Sequence, residues 1–164
     1  MSTSSFLGLN LATIRTSLPL ITGASYTVGV MGGLYSLLVP AEGAKMLGTP
    51  FDNPSSPSPA EVAYAKLHGV RKLATALIGL RLISYAGELD AQGQTGAAKA
   101  IGNAVGTLLI AGTVVAVGEA WACSRYAKRA AVKGDDKEWA KNLGVWHLLK
   151  AGPIALLGMA WFRI

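Results

Sequence analysis

Residues 59–85, PAEVAYAKLHGVRKLATALIGLRLISY, place basic side chains inside an apolar helical pattern. The stretch starts with Pro and contains no further Pro, which is typical of one long helix. It carries the basic side chains of His68, Arg71, Lys72 and Arg81 among apolar residues. An ionisable group in hydrocarbon costs between about 3 and about 10 kcal/mol, so it persists where it faces a partner or a water-filled cavity. These residues therefore predict a polar interior in a helical membrane bundle.

The composition favours a membrane protein. Of the 164 residues, 51% are hydrophobic and only 15% are charged, whereas soluble domains carry about 25% charged residues. The chain has room for four crossings of about 20 residues each, and its 20 glycines allow close approach of transmembrane helices. The predicted fold is all-α, a four-helix transmembrane bundle.

The charge and cysteine content exclude several classes of protein. The net charge of +6 comes without a basic stripe interleaved with aromatic residues, so we expect no nucleic-acid partner. The single Cys123 excludes an intramolecular disulfide framework and a cysteine-rich metal site. The basic residues are instead typical of membrane topology signals.

A single membrane domain, 1–164, is predicted, with spans at 17–40, 60–86, 100–122 and 143–163. We expect Pro19 in the first turn of the first span, Ser58 as the N-cap of the second, and a kink or loosening at Pro153 in the fourth. Residues 1–15 make a poor signal peptide and are expected to be retained, as an interfacial helical turn. Small-residue faces for helix contact are predicted at Gly23, Gly29, Gly32 and Gly33, and at Gly102 and Gly106.

The connections between the spans predict an orientation. Six Lys and Arg lie in the linker 123–141, which we expect to be helical at first and then to turn at Gly134 and Asp135. The opposite face holds Arg15, Lys99 and Arg163. The positive-inside rule therefore places the linker in the cytosol. We predict that the protein is an integral membrane protein located in the endoplasmic reticulum.

Ionisable groups from three predicted spans share one depth when 1.5 Å of rise is counted per residue. The predicted catalytic residues are Glu119, Arg71, His68 and His147. Aromatic and hydroxyl side chains on the same face or at the same height are predicted to bind substrate, namely Tyr35, Tyr64, Thr75, Trp121 and Trp146. We expect an interior pocket open to the cytosolic leaflet, with the Pro-rich loop 41–59 as its lid.

Plainer interpretations of the same residues stay open. An Arg71–Glu119 pair is also expected of a purely structural clamp between helices. The residues Lys72, Lys150, Arg125 and Trp146 are equally typical of interfacial anchors. His68 and His147 with one carboxylate lack the spacing of a metal motif, so we predict no metal and no cofactor.

Four short motifs carry a family resemblance: LLVPAEGAKMLGTP at 37–50, AKLHGVRKLATALIGL at 65–80, VAVGEAW at 115–121 and WH at 146–147. With them the chain resembles DUF4267, a family of small fungal integral membrane proteins that is itself similar to the four-helix DoxX-like proteins. The resemblance implies a gene neighbourhood of polyketide and terpenoid biosynthesis, where some members are proposed to act on epoxide or polyene intermediates.

These observations lead to three functional hypotheses. The first is a cofactor-independent membrane enzyme, a hydrolase or cyclase, that opens an epoxide of a lipophilic secondary-metabolite intermediate by acid/base chemistry. The second is a non-catalytic membrane assembly or lipid-binding protein; a proton-coupled transporter is a third, less favoured one. The expected partners are a lipophilic small molecule and membrane lipid, with a homo-oligomer possible.

Overall fold

Four long helices form the fold. The computed structural model describes residues 5–6, 9–47, 50–53, 55–129, 132 and 134–163, with side chains from Thr13 onward. The long helices are α1 (Leu11–Leu38), α3 (Pro59–Ala91), α4 (Thr95–Ala127) and α5 (Asp135–Trp161), and a short α2 (Pro40–Met46) follows α1. The strands β1 (Ser5–Phe6) and β2 (Leu9–Asn10) form a small antiparallel pair before α1. The predicted all-α class is confirmed.

The long helices contact one another in the order of the chain. Helix α1 packs against α3, α3 against α4, and α4 against α5. The ring is closed between α5 and α1, where Nε1 of Trp161 donates a hydrogen bond of 3.1 Å to Oγ1 of Thr22. Helix α2 lies against both α1 and α3. The starts of α1 and α4 lie at the same end of the bundle as the ends of α3 and α5, because Arg15, Lys99, Asp90 and Trp161 line one cleft there.

Glycines set the distance between the helices. A Cβ on Gly33 would lie 2.8 Å from the backbone nitrogen of Leu73, and one on Gly106 would lie 2.8 Å from the carbonyl oxygen of Gly158. The predicted contact roles of Gly29, Gly33, Gly102 and Gly106 are thereby confirmed. The predictions for Gly23 and Gly32 are wrong, because a Cβ at either position would meet nothing within 4 Å.

The distribution of polar and apolar side chains is inverted relative to a water-soluble bundle. Thr22, Ser36, His68 and His147 are buried, and much of the apolar core is alanine. Large apolar side chains point outward, with Leu38 at 80% exposure, Leu20 at 77% and Val114 at 70%. Of the described helices, α4 and α5 are long and apolar enough to cross a membrane. By that criterion the structure supports two of the four predicted crossings.

Several predicted boundaries change. Helix α1 begins at Leu11, so Pro19 lies in the helix interior and not in its first turn, where it leaves the Arg15 carbonyl without its intrahelical donor. Helix α5 continues across Pro153. Helix α3 extends beyond the predicted end of its span, to Ala91. In place of the predicted interfacial helical turn within 1–15, residues 5–6 and 9–10 form the strand pair and α1 follows from Leu11, while residues 1–4, 7 and 8 lie outside the described residues.

One predicted helix start is confirmed, and another lies earlier than predicted. Ser58 caps α3 in a reciprocal arrangement, in which its Oγ accepts from the Glu61 backbone N–H and the Glu61 carboxylate accepts from the Ser58 N–H. Helix α5 starts at Asp135, within the predicted linker and before the predicted start of the fourth span at 143. The predicted turn is present at Gly134, whose φ of +58° is a conformation that favours glycine.

Two matched glycine substitutions test the contact between α1 and α3. Gly33→Ala is expected to lower the free energy of unfolding by about 1–3 kcal/mol, because its Cβ meets the α3 backbone. Gly32→Ala on the same helix is expected to be neutral or slightly stabilising, because alanine is the better helix former and meets open space. The measurement is unfolding in detergent followed by circular dichroism. Equal effects of the two substitutions would contradict this helix contact.

Candidate functional site

Glu119 is the centre of the candidate site. It follows an uncharged run, 100–118, on α4, and its side chain is only 12% exposed. Four nitrogen atoms from the two neighbouring helices surround its carboxylate. On the α5 side, Oε2 lies 2.9 Å from Nδ1 of His147 and 3.7 Å from Nζ of Lys150. On the α3 side, Oε1 lies 3.7 Å from Nη2 of Arg71 and 3.8 Å from Nε2 of His68.

We call these five residues, His68, Arg71, Glu119, His147 and Lys150, the Glu119 cluster. Three helices contribute to it, α4 with Glu119 alone and α3 and α5 with two residues each. His68 and Arg71 are three residues apart on α3, and His147 and Lys150 are three apart on α5, so each pair shares a helix face. The cluster brings one carboxylate together with a guanidinium, a lysine side chain and two imidazoles.

The hydrogen bond between Arg71 and His68 decides which nitrogen of His68 carries the proton. Nη2 of Arg71 lies 2.9 Å from Nδ1 of His68. A guanidinium only donates hydrogen bonds, so Nδ1 must accept and the ring proton must sit on Nε2. This Nε2 is buried without a hydrogen-bond partner among the described residues, and its 3.8 Å from Glu119 Oε1 exceeds hydrogen-bond length. An unpaired donor and an acceptor oxygen thus face each other across a gap.

His147 holds the other side of the carboxylate. Its side chain is buried, and Nδ1 contacts Oε2 of Glu119 at 2.9 Å, although the N–H direction lacks hydrogen-bond alignment. Its Nε2 is also buried without a hydrogen-bond partner in the part of the chain that is described. Both histidines therefore retain donor or acceptor capacity beside the carboxylate.

An open cavity of about 230 Å³ adjoins the cluster on the α3 side. Its polar wall is formed by Tyr64, His68, Arg71 and Glu119, and its remaining lining is Leu47, Val115, Gly118 and Ala122. Leu47 belongs to the predicted lid segment 41–59, and its carbonyl oxygen lies 3.5 Å from Sγ of the buried Cys123. A lid movement of this segment stays a prediction.

The structure brings all four predicted catalytic residues together, and the predicted substrate-binding residues only in part. Tyr64 lines the cavity. Thr75 is half-buried farther along α3 and does not line the cavity. Tyr35 is exposed and does not line the cavity either. Trp121 and Trp146 are exposed on the outer surface, where the Arg125 guanidinium lies 5.9 Å from the Trp121 ring. None of these four side chains contacts the cavity, and their binding of substrate stays a prediction. Both tryptophans occupy positions typical of interfacial anchors.

Lys150 is the member of the cluster that sequence reasoning assigned elsewhere, as an interfacial anchor. Its spacing of three residues from His147 is the signal that places it on the same face of α5. Among the described residues, no group of three or more His, Cys, Asp or Glu side chains is arranged to hold a metal ion.

Residues 27–161 match the family described as a domain of unknown function, DUF4267. The chain belongs to this family. The matched segment includes all five residues of the Glu119 cluster. No curated protein matches the chain, and no solved structure does.

The proton position on His68 can be tested by ¹⁵N NMR of the histidine-labelled protein at neutral pH. We expect a protonated Nε2 and an accepting Nδ1. In Arg71→Met this preference should be lost, because the donor to Nδ1 is gone. Lys72→Met, the control at the next position, should keep it. A wild-type His68 protonated on Nδ1 would contradict the arrangement.

Proposed function

We propose that this DUF4267 protein is an integral membrane enzyme that opens an epoxide of a lipophilic substrate by acid/base chemistry, with water or a hydroxyl of the same substrate as the attacking group. The observation that carries the proposal is the gap between His68 Nε2 and Glu119 Oε1, 3.8 Å apart beside a cavity. An oxygen atom bound in this gap would accept a hydrogen bond from Nε2–H and donate one to Oε1.

Membrane placement is supported by the outward apolar side chains on all four long helices. Helices α1 and α3 expose Leu20, Met31, Leu67 and Leu77, and α4 and α5 expose Val114 and Leu149. Large exposed apolar surface marks contact with lipid or with a partner, and here it surrounds a core that contains polar side chains. We propose four crossings, with the linker 123–141 in the cytosol and the protein in the endoplasmic reticulum.

In the proposed reaction, Oε1 of Glu119 takes the proton of the attacking oxygen as that oxygen bonds to an epoxide carbon. The C–O bond of that carbon breaks, and its electron pair goes to the departing oxygen. Arg71 stabilises the negative charge that develops on the departing oxygen by hydrogen bonds, while the Nε2–H of His68 holds the attacking oxygen in the gap. Glu119 then returns the proton to this oxygen. Water yields a diol, and an internal hydroxyl yields a cyclic ether.

The two carboxylate oxygens have separate roles in this scheme. Oε2 is held by His147 and Lys150 from α5, whereas Oε1 faces the cavity side with Arg71 and His68. A general base that is positioned in this way contributes about 10²–10⁴-fold to a reaction rate. The apolar lining, formed by Leu47, Val115 and Ala122, supports a substrate that enters from the bilayer.

A second candidate function is a non-catalytic membrane assembly or lipid-binding protein. It is favoured by the way the cluster joins α3, α4 and α5 through one carboxylate. Removing one partner of a buried ion pair costs about 3–5 kcal/mol because an uncompensated charge remains. A clamp of this kind needs no substrate.

Glu119→Gln tests the catalytic role. We expect purified protein in detergent to convert long-chain epoxides or hydroxy-epoxides, and the substitution to slow this by at least about 10²-fold, because an amide does not accept the proton. Glu88→Gln is the control, since Glu88 is exposed and paired with Arg81 at 2.7 Å. Product formation is measured by mass spectrometry, with circular dichroism to confirm folding. Full turnover by folded Glu119→Gln would remove the mechanism.

Gly118→Leu separates the enzyme from the clamp. Gly118 lines the cavity, and a Cβ there meets nothing within 4 Å, so leucine fills the cavity and leaves the ion pairs intact. For an enzyme, turnover falls while the folded state persists. If Glu119→Gln unfolds and either the wild type converts no epoxide or Gly118→Leu keeps the full wild-type turnover, the cluster is a structural clamp.

Cysteine labelling tests the orientation. The single native Cys123 is 0% exposed, so added cysteines dominate the labelling. In intact microsomes, a membrane-impermeant maleimide is expected to label Asp136→Cys at the start of α5 and to leave Gln92→Cys unlabelled until detergent is added. The reverse pattern would invert the orientation, and labelling of both would contradict the proposed crossings.

A further inference from the structure

A second cleft lies at the end of the bundle opposite the Glu119 cluster. It has a volume of about 140 Å³ and lies where α1 and α4 begin and α3 and α5 end. Its polar lining includes Arg15, Asp90, Thr95 and Lys99, and its apolar lining includes Ile83 and Trp161. Neither the family match nor the proposed reaction assigns a role to this cleft.

The rim of this cleft carries one more positive than negative charge. Nη2 of Arg15 donates to Oδ1 of Asp90 at 3.1 Å, which uses one of the five N–H donors of the guanidinium. Lys99 forms no ion pair with any described residue. The excess positive charge and the remaining guanidinium donors suit an anion that accepts several hydrogen bonds, as a phosphate does.

The floor of the cleft is apolar and fixed in place. Trp161 is 4% exposed, and its indole nitrogen is held by Thr22 of α1. A cleft with a cationic rim above an apolar floor at the end of a helical bundle matches an amphiphile with a phosphate head and an acyl chain. At a membrane surface, the rim would lie at the depth of the lipid headgroups.

We propose that this cleft binds a membrane phospholipid, with its phosphate between Arg15 and Lys99 and one acyl chain along Ile83 and Trp161. The site rests on the membrane placement given under Proposed function and is independent of the chemistry at Glu119.

Gly87 provides a direct way to close the cleft. It lines the cleft, and a Cβ there would meet nothing within 4 Å. Gly87→Leu therefore fills the space that the lipid would occupy without displacing protein atoms. Gly152→Leu is its matched control, because Gly152 is an exposed helical glycine on α5 that also faces open space and does not line the cleft.

The experiment is native mass spectrometry of the detergent-solubilised protein with three probes: phosphatidylglycerol, diacylglycerol with the same chains, and inorganic phosphate. Phosphatidylglycerol is expected to bind, and the other two at least about tenfold more weakly, since each lacks one half of the recognised group.

Lys99→Gln should weaken phosphatidylglycerol binding about tenfold, because one charge-assisted hydrogen bond is lost. Gly87→Leu should abolish it. Gly152→Leu and Arg163→Gln, the latter at the same end of the bundle but outside the cleft, should bind like the wild type.

Three outcomes would overturn the proposal. Equal binding of diacylglycerol would reduce the site to an apolar groove, and equal binding of inorganic phosphate would make it a free-anion site. Undiminished phosphatidylglycerol binding by folded Gly87→Leu would place the lipid elsewhere. The epoxide assay on Gly87→Leu keeps the two proposals apart, because its turnover depends on the Glu119 cluster alone.

Discussion

The arrangement of this bundle depends on one carboxylate that needs positive partners in an apolar setting. Glu119 ends an uncharged helical run, and the cost of removing an unpaired carboxylate from water is several kcal/mol. Nitrogen donors from α3 and α5 offset that cost only if both helices approach α4 closely. Small residues allow this close approach. At Gly144, three residues before His147, an added Cβ would lie only 3.3 Å from the Cβ of Cys123 on α4. The same closeness is repeated where α1 meets α3, at Gly33 and Gly69.

The two oxygens of the Glu119 carboxylate face different parts of the same network. Oε2 of Glu119 faces His147 and Lys150, which join α4 to α5, whereas Oε1 faces Arg71 and His68 on the cavity side. Arg71 also accounts for the protonation of His68, because its hydrogen bond to Nδ1 leaves Nε2 as the donor. A site can therefore be positioned by its structural ion pairs and still keep one donor and one acceptor for a ligand.

The two ends of the bundle differ in chemistry. At one end the polar groups are buried between helices beside a cavity with apolar walls. At the other end the charged groups lie on the rim of a cleft, with Trp161 beneath them. The hydrogen bond from Trp161 to Thr22 shapes this second cleft and also closes the ring of helices between α5 and α1.

The sequence by itself determined the existence of the four long helices, the Ser58 cap of α3 and the shared depth of the ionisable groups. Rise per residue is a property of the backbone, so counting from Ser58 and along α4 was enough to place His68, Arg71, Glu119 and His147 at one level. Only the tertiary structure decided how each helix is rotated about its axis. That rotation places Trp121 and Trp146 on the outside and Lys150 beside the carboxylate. Sequence periodicity carried little information about it, because these helices are apolar on several faces, and a helix with an apolar exterior has no hydrophilic face to mark which side looks inward.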